Sequence, residues 1–587
     1  NQVLAYRAME TPEVAAANIY LLRDPEHPER RPEVALPHGG ILKKDETSLK
    51  SYLMRLALDY DRRIGAHDIK AFGFTEIRYA DRSHTPFTGY GLQYDRGGQI
   101  NTDPRIFSKL LREGEDYFAY SRRYDRGVTF SASSTYGYDG RYILNALINV
   151  EGSNASGRNA RTQWLPTWNI GGKWNIDREA FFHPSSLLSR LALRMSYGLT
   201  AKMNEEAVNA NSVYQGTTTT PRRYQDRENA LRIRHLENRD LTWEKMYELN
   251  LGIETAWASD RVRATVDLYQ RNAFDLIDLV RTSGIGGQYY KYANFGDMRT
   301  QGIELSLSTT NIETKELSWS SSLTLSFMNQ KITRLRNTPN ALDMVAGRGR
   351  GNLVGYPKGS LFSYNFQGLN RHGLPTFDFG LYPTNRTQDA NVYSADFSDT
   401  QYTKSYLTYH GPIEPQVIGG LSNTLRYGLW DLTLFITAQA GNKIRLNPTF
   451  DPTFADLNVF SGEYRNRWMN PGDEQHTDVP TIPSQDLINA VGRENIERAY
   501  STYNYSQLRV ADGSFVRLKH VSLGYRVSEA FAKKLRLQSA KLQLSLTNPF
   551  LIYSDKRLRG QDPEYYRAGG VSLPTPRQYT LSLQIGF

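Results

Sequence analysis

Ten histidines are the first residues to examine for metal or acid–base chemistry, and none falls in an HExxH or other metal-ligand spacing. Gly347-Arg348-Gly349-Arg350-Gly351 has the glycines of a phosphate cradle but lacks the following Gly-Lys-Ser/Thr and the strand and helix that would flank it. It suits a flexible basic loop. Asp451 with Asp456, or Asp473 with Asp478, could offer carboxylates to calcium, yet neither pair has EF-type spacing. The chain has no cysteine, which removes a thiol nucleophile, a disulfide scaffold and any Cys-ligated zinc or iron–sulfur centre. Ser, His and Asp occur as in any chain this long, and no triad or carboxylate pair stands out among them. Basic and aromatic residues interleave at 117–124, where they suit a strand and its rim better than a nucleic-acid platform. The expectation is a protein without cofactor, metal or nucleic-acid partner, and not an enzyme.

The elements that would carry other work are strands. At 587 residues the chain is long enough for about four ordinary domains or one very large all-β unit. It has 38 Tyr against 24 Phe and 8 Trp, and tyrosine, with an apolar ring and a wet hydroxyl, suits membrane interfaces. No apolar run is long enough for a transmembrane helix. The mean hydropathy of −0.57 does not decide against spanning strands, whose apolar and polar residues alternate. The formal charge of +10 is a moderate surplus that could also suit anionic lipid headgroups or an acidic cargo. The chain opens at Asn1 with neither a start methionine nor a signal peptide, as expected of a processed chain or part of a longer product.

Period-two alternation dominates. Val262, Ala264, Val266 and Leu268 alternate with charged or polar neighbours, as do Leu191 to Leu199, Leu432 to Ala438, and Leu542 to Leu546. About 14–16 such segments are expected, several of about 9–11 residues, the length of a tilted membrane-crossing strand. Tight turns such as Tyr138-Asp139-Gly140 and Ala258-Ser259-Asp260 alternate with long polar connections at about 203–240, 336–415 and 445–508. Short helices are expected within 8–22 and 525–535, with helical character at 484–499. Over the last nine residues Tyr579, Leu581, Leu583, Ile585 and Phe587 alternate with small or polar residues, and the chain stops on the aromatic. That pattern suits a closing strand with one side in lipid. Val262, Val266, Leu432, Leu434, Leu581 and Leu583 are expected to face lipid.

Six motifs in order then resemble the SusC-type (RagA-type) TonB-dependent outer-membrane transporters: 164–174, Leu241-Thr242-Trp243-Glu244-Lys245 with 250–254, 294–304, 467–473, 514–519 and 573–577. Thr300 stands where that family usually shows Asn. The motifs suit fold roles: a glycine turn within 294–302, an interfacial anchor at Trp243, and stiffening by Pro574 and Pro576 before the closing strand. The resemblance implies an all-β, antiparallel transmembrane β-barrel of the outer-membrane type, part of about 22 strands. It implies import of glycans or oligopeptides with energy from the TonB complex, a SusD-type surface lipoprotein as lid, and contact with lipopolysaccharide or other lipid. The likeness begins near 56–60 and 67–76. Residues 1–45 resemble no part of the family's N-terminal domain or plug, so the barrel portion is placed at 46–587, with the plug expected on an N-terminal segment or a second polypeptide. Two alternatives stand beside transport: a barrel serving as a structural or assembly subunit, and a soluble all-β carbohydrate-binding or hydrolytic protein.

Overall fold

The computed structural model describes residues 2–4, 21–22, 27, 29–30, 33–34, 40–92, 97–100, 117–154, 163–185, 187–202, 213–218, 229–235, 241–281, 290–336, 338–346, 351–380, 392–393, 395–398, 400, 403–450, 462–566, 574 and 576–587. Two compact units share them: residues 1–58, 72–132 and 149–165, and residues 59–71, 133–148 and 166–587. Among the described residues no helix is long and apolar enough to cross a membrane, which says nothing of strands.

Among the described residues sixteen strands make the main sheet, in chain order from Gln2–Leu4 and Gly40–Ile64 to Ser539–Ser554 and Gln578–Gly586. Connections alternate in length as expected. The short ones use left-handed backbone: Asp139 and Gly140 have φ of 52° and 63°, and Ala258, Ser259 and Asp260 have 52°, 55° and 68°. Strand length departs from expectation. Gly40–Ile64, His67–Leu92 and Tyr290–Glu313 have 25, 26 and 24 residues, well beyond what a bilayer requires. Alternation reveals only the stretch with an apolar face; a polar extension pairs its backbone just as well and leaves no such mark.

In the first unit, Tyr52, Met54, Leu56 and Leu58 repeat at period two and are all exposed. Arg55 pairs with Glu76 at 2.8 Å, and Arg122 grips Asp81 through two bonds of 2.9 and 2.7 Å.

In the second unit, register sorts the side chains into two faces, because residues directly opposite on antiparallel neighbours point the same way. One apolar row runs Leu193, Ile253, Val266, Leu305, Leu325. Another runs Trp319, Leu425, Leu432, Leu523, Leu544, Leu581. The alternate residues form ion pairs: Lys173–Glu254 at 2.7 Å, Arg194–Glu254 and Arg194–Asp267 at 3.0 Å, Arg271–Glu248 at 2.8 Å and Lys541–Asp431 at 3.2 Å. Such pairs add little stability each; their presence marks a wet face. A sheet with one apolar and one ionic face keeps its largest hydrophobic side chains exposed, which inverts the usual layout.

The main buried core lies elsewhere, in the long connections. Helices Ala341–Ala346 and Arg493–Asn504 and a three-stranded sheet of Pro375–Asp378, Ser360–Leu369 and Leu407–Pro412 enclose Met344, Phe362, Tyr364, Phe379, Tyr406, Phe450 and Tyr500. These segments are therefore a folded cap rather than polar loops. Their aromatics were legible, but their burial was not.

Four local expectations change. Helix at 484–499 becomes two, Gln485–Val491 and Arg493–Asn504, because Gly492 at φ 94° breaks the turn. The helix at 525–535 shortens to Glu529–Lys534. Of 8–22 only Leu21–Leu22 is described, and it pairs as a strand with Glu33–Val34. Residues 294–302 make no turn: they lie inside the strand Tyr290–Glu313. There Gly302 is opposite Tyr269, whose ring covers it; a Cβ would overlap that ring.

Candidate functional site

Two of the sequence motifs meet around a bulge. The strand Val262–Arg281 slips register between Ala273 and Ile277, and Asp275 takes φ 57°. Asn294 fastens this point, donating to the Thr242 and Asp275 carbonyls at 2.7 and 2.6 Å and accepting from Thr242 N–H at 2.7 Å. Asp297 accepts from Asp275 N–H at 3.2 Å and from Arg334 at 2.7 and 3.0 Å, while Glu244 accepts from Ile277 N–H at 2.7 Å. These motif residues satisfy backbone groups that a bulge leaves unpaired. Trp243 beside them is only 8% exposed, so the structure overturns the interfacial-anchor role.

The motif at 467–473 is a turn that closes on itself. Asp473 accepts from Asn470 and Met469 N–H at 2.8 and 3.0 Å, and these bonds hold its carboxyl below the usual range. Trp468 donates to Glu474 at 2.8 Å. A carboxylate so occupied is not set up for calcium, and among the described residues no three His, Asp or Glu groups cluster as a metal site would need. Asp451, Asp456 and 347–350 lie outside the described residues.

Among the described residues, a cleft of about 1310 Å³ at the foot of the cap is lined by His410, Lys443, Glu463, Arg509, Asp512 and Arg557 among others. Leu446 and Ala511 of its lining belong to a small buried apolar cluster with Ile444, Leu558 and Tyr566. The strands Lys443–Arg445 and Val510–Asp512 pair beneath it. Arg509 is fixed by Glu463 at 2.5 Å and by the Asn447 carbonyl at 2.6 Å, Lys443 by Asp512 at 3.3 Å, and Arg557 by the Val510 carbonyl at 2.8 Å. Burial, with Arg445, Lys443 and Arg557 nearby, pushes His410 down to about 4, so it is neutral at neutral pH. The cleft thus presents both signs of charge on prepositioned groups.

Arg445 holds the cleft to the cap. It donates to Ser363 Oγ at 2.9 Å and to the carbonyls of Ser506 at 3.1 Å, Val345 at 3.4 Å and Phe362. Burial lowers it to about 10, which leaves it charged. Glu463, Arg509 and Arg445 escaped the sequence reading because their partners are 46 to 100 residues away. In the last strand Tyr579, Leu581, Leu583 and Ile585 pair with Leu546, Leu544, Leu542 and Ala540. All four are exposed, and Phe587, just past the strand, is 84% exposed.

Residues 45–447 match the family described as TonB dependent receptor-like, beta-barrel. The chain is 25% identical to TonB-dependent receptor P3 of Formosa agariphila, over 94% of this chain and 53% of that protein. It is 22% identical to TonB-dependent receptor SusC of Bacteroides thetaiotaomicron, over 90% and 49% respectively. Among solved structures it is similar to the RagAB peptide transporter, with a TM-score of 0.70 at 21% identity over 93% of this chain and 56% of that one. The chain thus spans about half the length of these relatives. The fold is the antiparallel all-β type of outer-membrane barrels.

Proposed function

Because the chain belongs to the TonB dependent receptor-like, beta-barrel family, we propose that it is the barrel portion of a SusC-type outer-membrane importer of oligopeptides or glycans. One observation carries this reading: apolar rows cover one face of the sheet, ion pairs occupy the other, and the long connections fold into a cap with a charged cleft. The apolar face is in lipid and the ionic face lines a wet passage, as spanning strands require. The long connections are on the extracellular side, where the cap receives cargo.

Between the two cargo classes, the cleft favours oligopeptides. Its cations and carboxylates are paired with one another, Lys443 with Asp512 and Arg509 with Glu463, so a ligand with an ammonium at one end and a carboxylate at the other binds by exchanging these pairs. The solved relative bears the name of a peptide transporter, which supports the same choice. Energy arrives from TonB through a plug on an N-terminal segment or second polypeptide, and a SusD-type lipoprotein covers the cap. The test is uptake of labelled oligopeptides and oligosaccharides by cells with and without the gene, each with and without TonB. Loss of peptide uptake in both deletions supports the reading. Uptake unchanged by either deletion refutes it.

A further inference from the structure

The apolar face of the first unit carries a cluster that transport does not use. The rings of Tyr52 and Tyr79 stack with centroids 4.8 Å apart, and Tyr124 follows at 6.4 Å from Tyr79. The guanidinium of Arg126 is 5.9 Å from the Tyr79 ring, and that of Arg122 is 4.9 Å from the Tyr124 ring. On the far side Trp164 stacks on Phe130 at 6.3 Å, and Gly152 makes room for the indole, since a Cβ there would be 2.9 Å from it. Between these walls is a cleft of about 840 Å³ that also takes in Ile77 and Val128.

Charge on this face is unusual. Along Ser121–Tyr138 the residues that share the Phe130 face are Val128, Arg126, Tyr124 and Arg122. Asp81 occupies Arg122 bidentately. Arg126 has no acidic partner among the described residues, and Lys50, two residues before Tyr52, adds a further cation to that face. A guanidinium without an acidic partner on a lipid-facing side is costly unless something from outside neutralises it. Its planar fork matches a phosphate group. Tyr52 and Tyr79 are mid-strand, about 13 residues from the short turn at 65–66 and so past the roughly 9–11 residues that cross a bilayer, while Tyr124 and Trp164 are near the starts of their strands, which places the cluster where hydrocarbon gives way to headgroups. It reaches across four strand spacings, about 19 Å. That width suits a disaccharide-based lipid with several acyl chains better than a two-chain phospholipid.

We infer that this cleft binds one phosphate-bearing glycolipid of the outer leaflet. Its phosphate sits on Arg126 with Lys50 close by, its sugar on the Tyr52–Tyr79 platform, and its acyl chains along Ile77, Val128 and Phe130. The inference rests on the outer-membrane reading, with the long connections on the extracellular side. The test is quantitative mass spectrometry of lipid retained by the protein after detergent extraction from its native membrane and gel filtration. Variants are Lys50→Gln/Arg126→Gln and, separately, Trp164→Ala. The control is Arg123→Gln, on the opposite face and paired with Asp125 at 2.6 Å. Retained glycolipid should fall about tenfold in the double variant, the loss expected when charge-assisted bonds to phosphate are removed, and should fall in Trp164→Ala. It should hold in the control. Equal retention in both test variants, equal loss in the control, or phospholipid in place of glycolipid would overturn the inference. Folding is followed by heat-dependent gel mobility; if the double variant unfolds, Trp164→Ala alone decides. Extraction without detergent would instead sink the outer-membrane reading itself.

Discussion

Replacing Arg445 by Met should loosen the cap while sparing the sheet. The guanidinium serves four acceptors from three separate segments, around residues 345, 362–363 and 506. Bonds from a charged donor contribute about 1.5–3 kcal/mol each, so the gross loss is about 6–12 kcal/mol. Removing a buried cation also recovers its desolvation penalty, several kcal/mol, which leaves a net loss of about 3–5 kcal/mol. At about 1.4 kcal/mol per decade, opening of the cap becomes roughly a hundred- to a thousandfold more frequent. Hydrogen exchange by mass spectrometry in detergent reads this directly at the amides of Tyr364, bonded to the Tyr505 carbonyl, and Leu446, bonded to that of Arg509. Arg445→Lys keeps the charge but reaches fewer acceptors, and should fall between. Acceleration below about fivefold at these amides, or equal acceleration in the strand Val262–Arg281, would refute the reasoning, since the first denies the clamp and the second denies that it is local.

Val266 lies mid-row on the apolar face, and Val266→Arg should cost about 2–4 kcal/mol if that face is in lipid; insertion equal to the parent's, measured by heat-modified gel mobility, would reassign the face. Deleting Phe587 or replacing it with Asp should lower the surface-exposed fraction while total synthesis holds, by cell-surface labelling against whole-cell blots. Gly302→Ala should cost about 1–3 kcal/mol by displacing the Tyr269 ring, and combining it with Tyr269→Ala should cost less than the sum in denaturant titrations. His410 has a folded pKa near 4 against an ordinary value near 6.5, so the unfolded chain binds the proton first as pH falls. Its contribution is therefore intact above about pH 6.5 and is lost progressively towards pH 4, about 1–2 kcal/mol after allowing for half-burial. His410→Gln should flatten that part of the cap's stability profile; an unchanged slope would show that His410 is not its source.

Fold class, strand alternation and the short turns were legible in the chain, because each is a local pattern. A period of two reports which residues share a face. The left-handed turns at Asp139-Gly140 and 258–260 need particular backbone conformations, whereas the motifs at 241–245 and 294–304, read as an anchor and a turn, proved to fasten one bulge. Tertiary structure alone decided what the long connections do. Sequence shows that residues such as Phe362, Tyr364, Phe379 and Tyr500 are aromatic, yet aromatic residues serve equally at a wet rim and in a dry core. Only packing segments more than a hundred residues apart makes them a core. The same holds for Arg445 and the Arg509–Glu463 pair, whose partners come together by chain reversal and not by spacing. Likewise Gly302 could serve a turn or a close approach, and the ring of Tyr269 across the sheet settled which, because a glycine's freedom carries no label of its use until a neighbour takes the space.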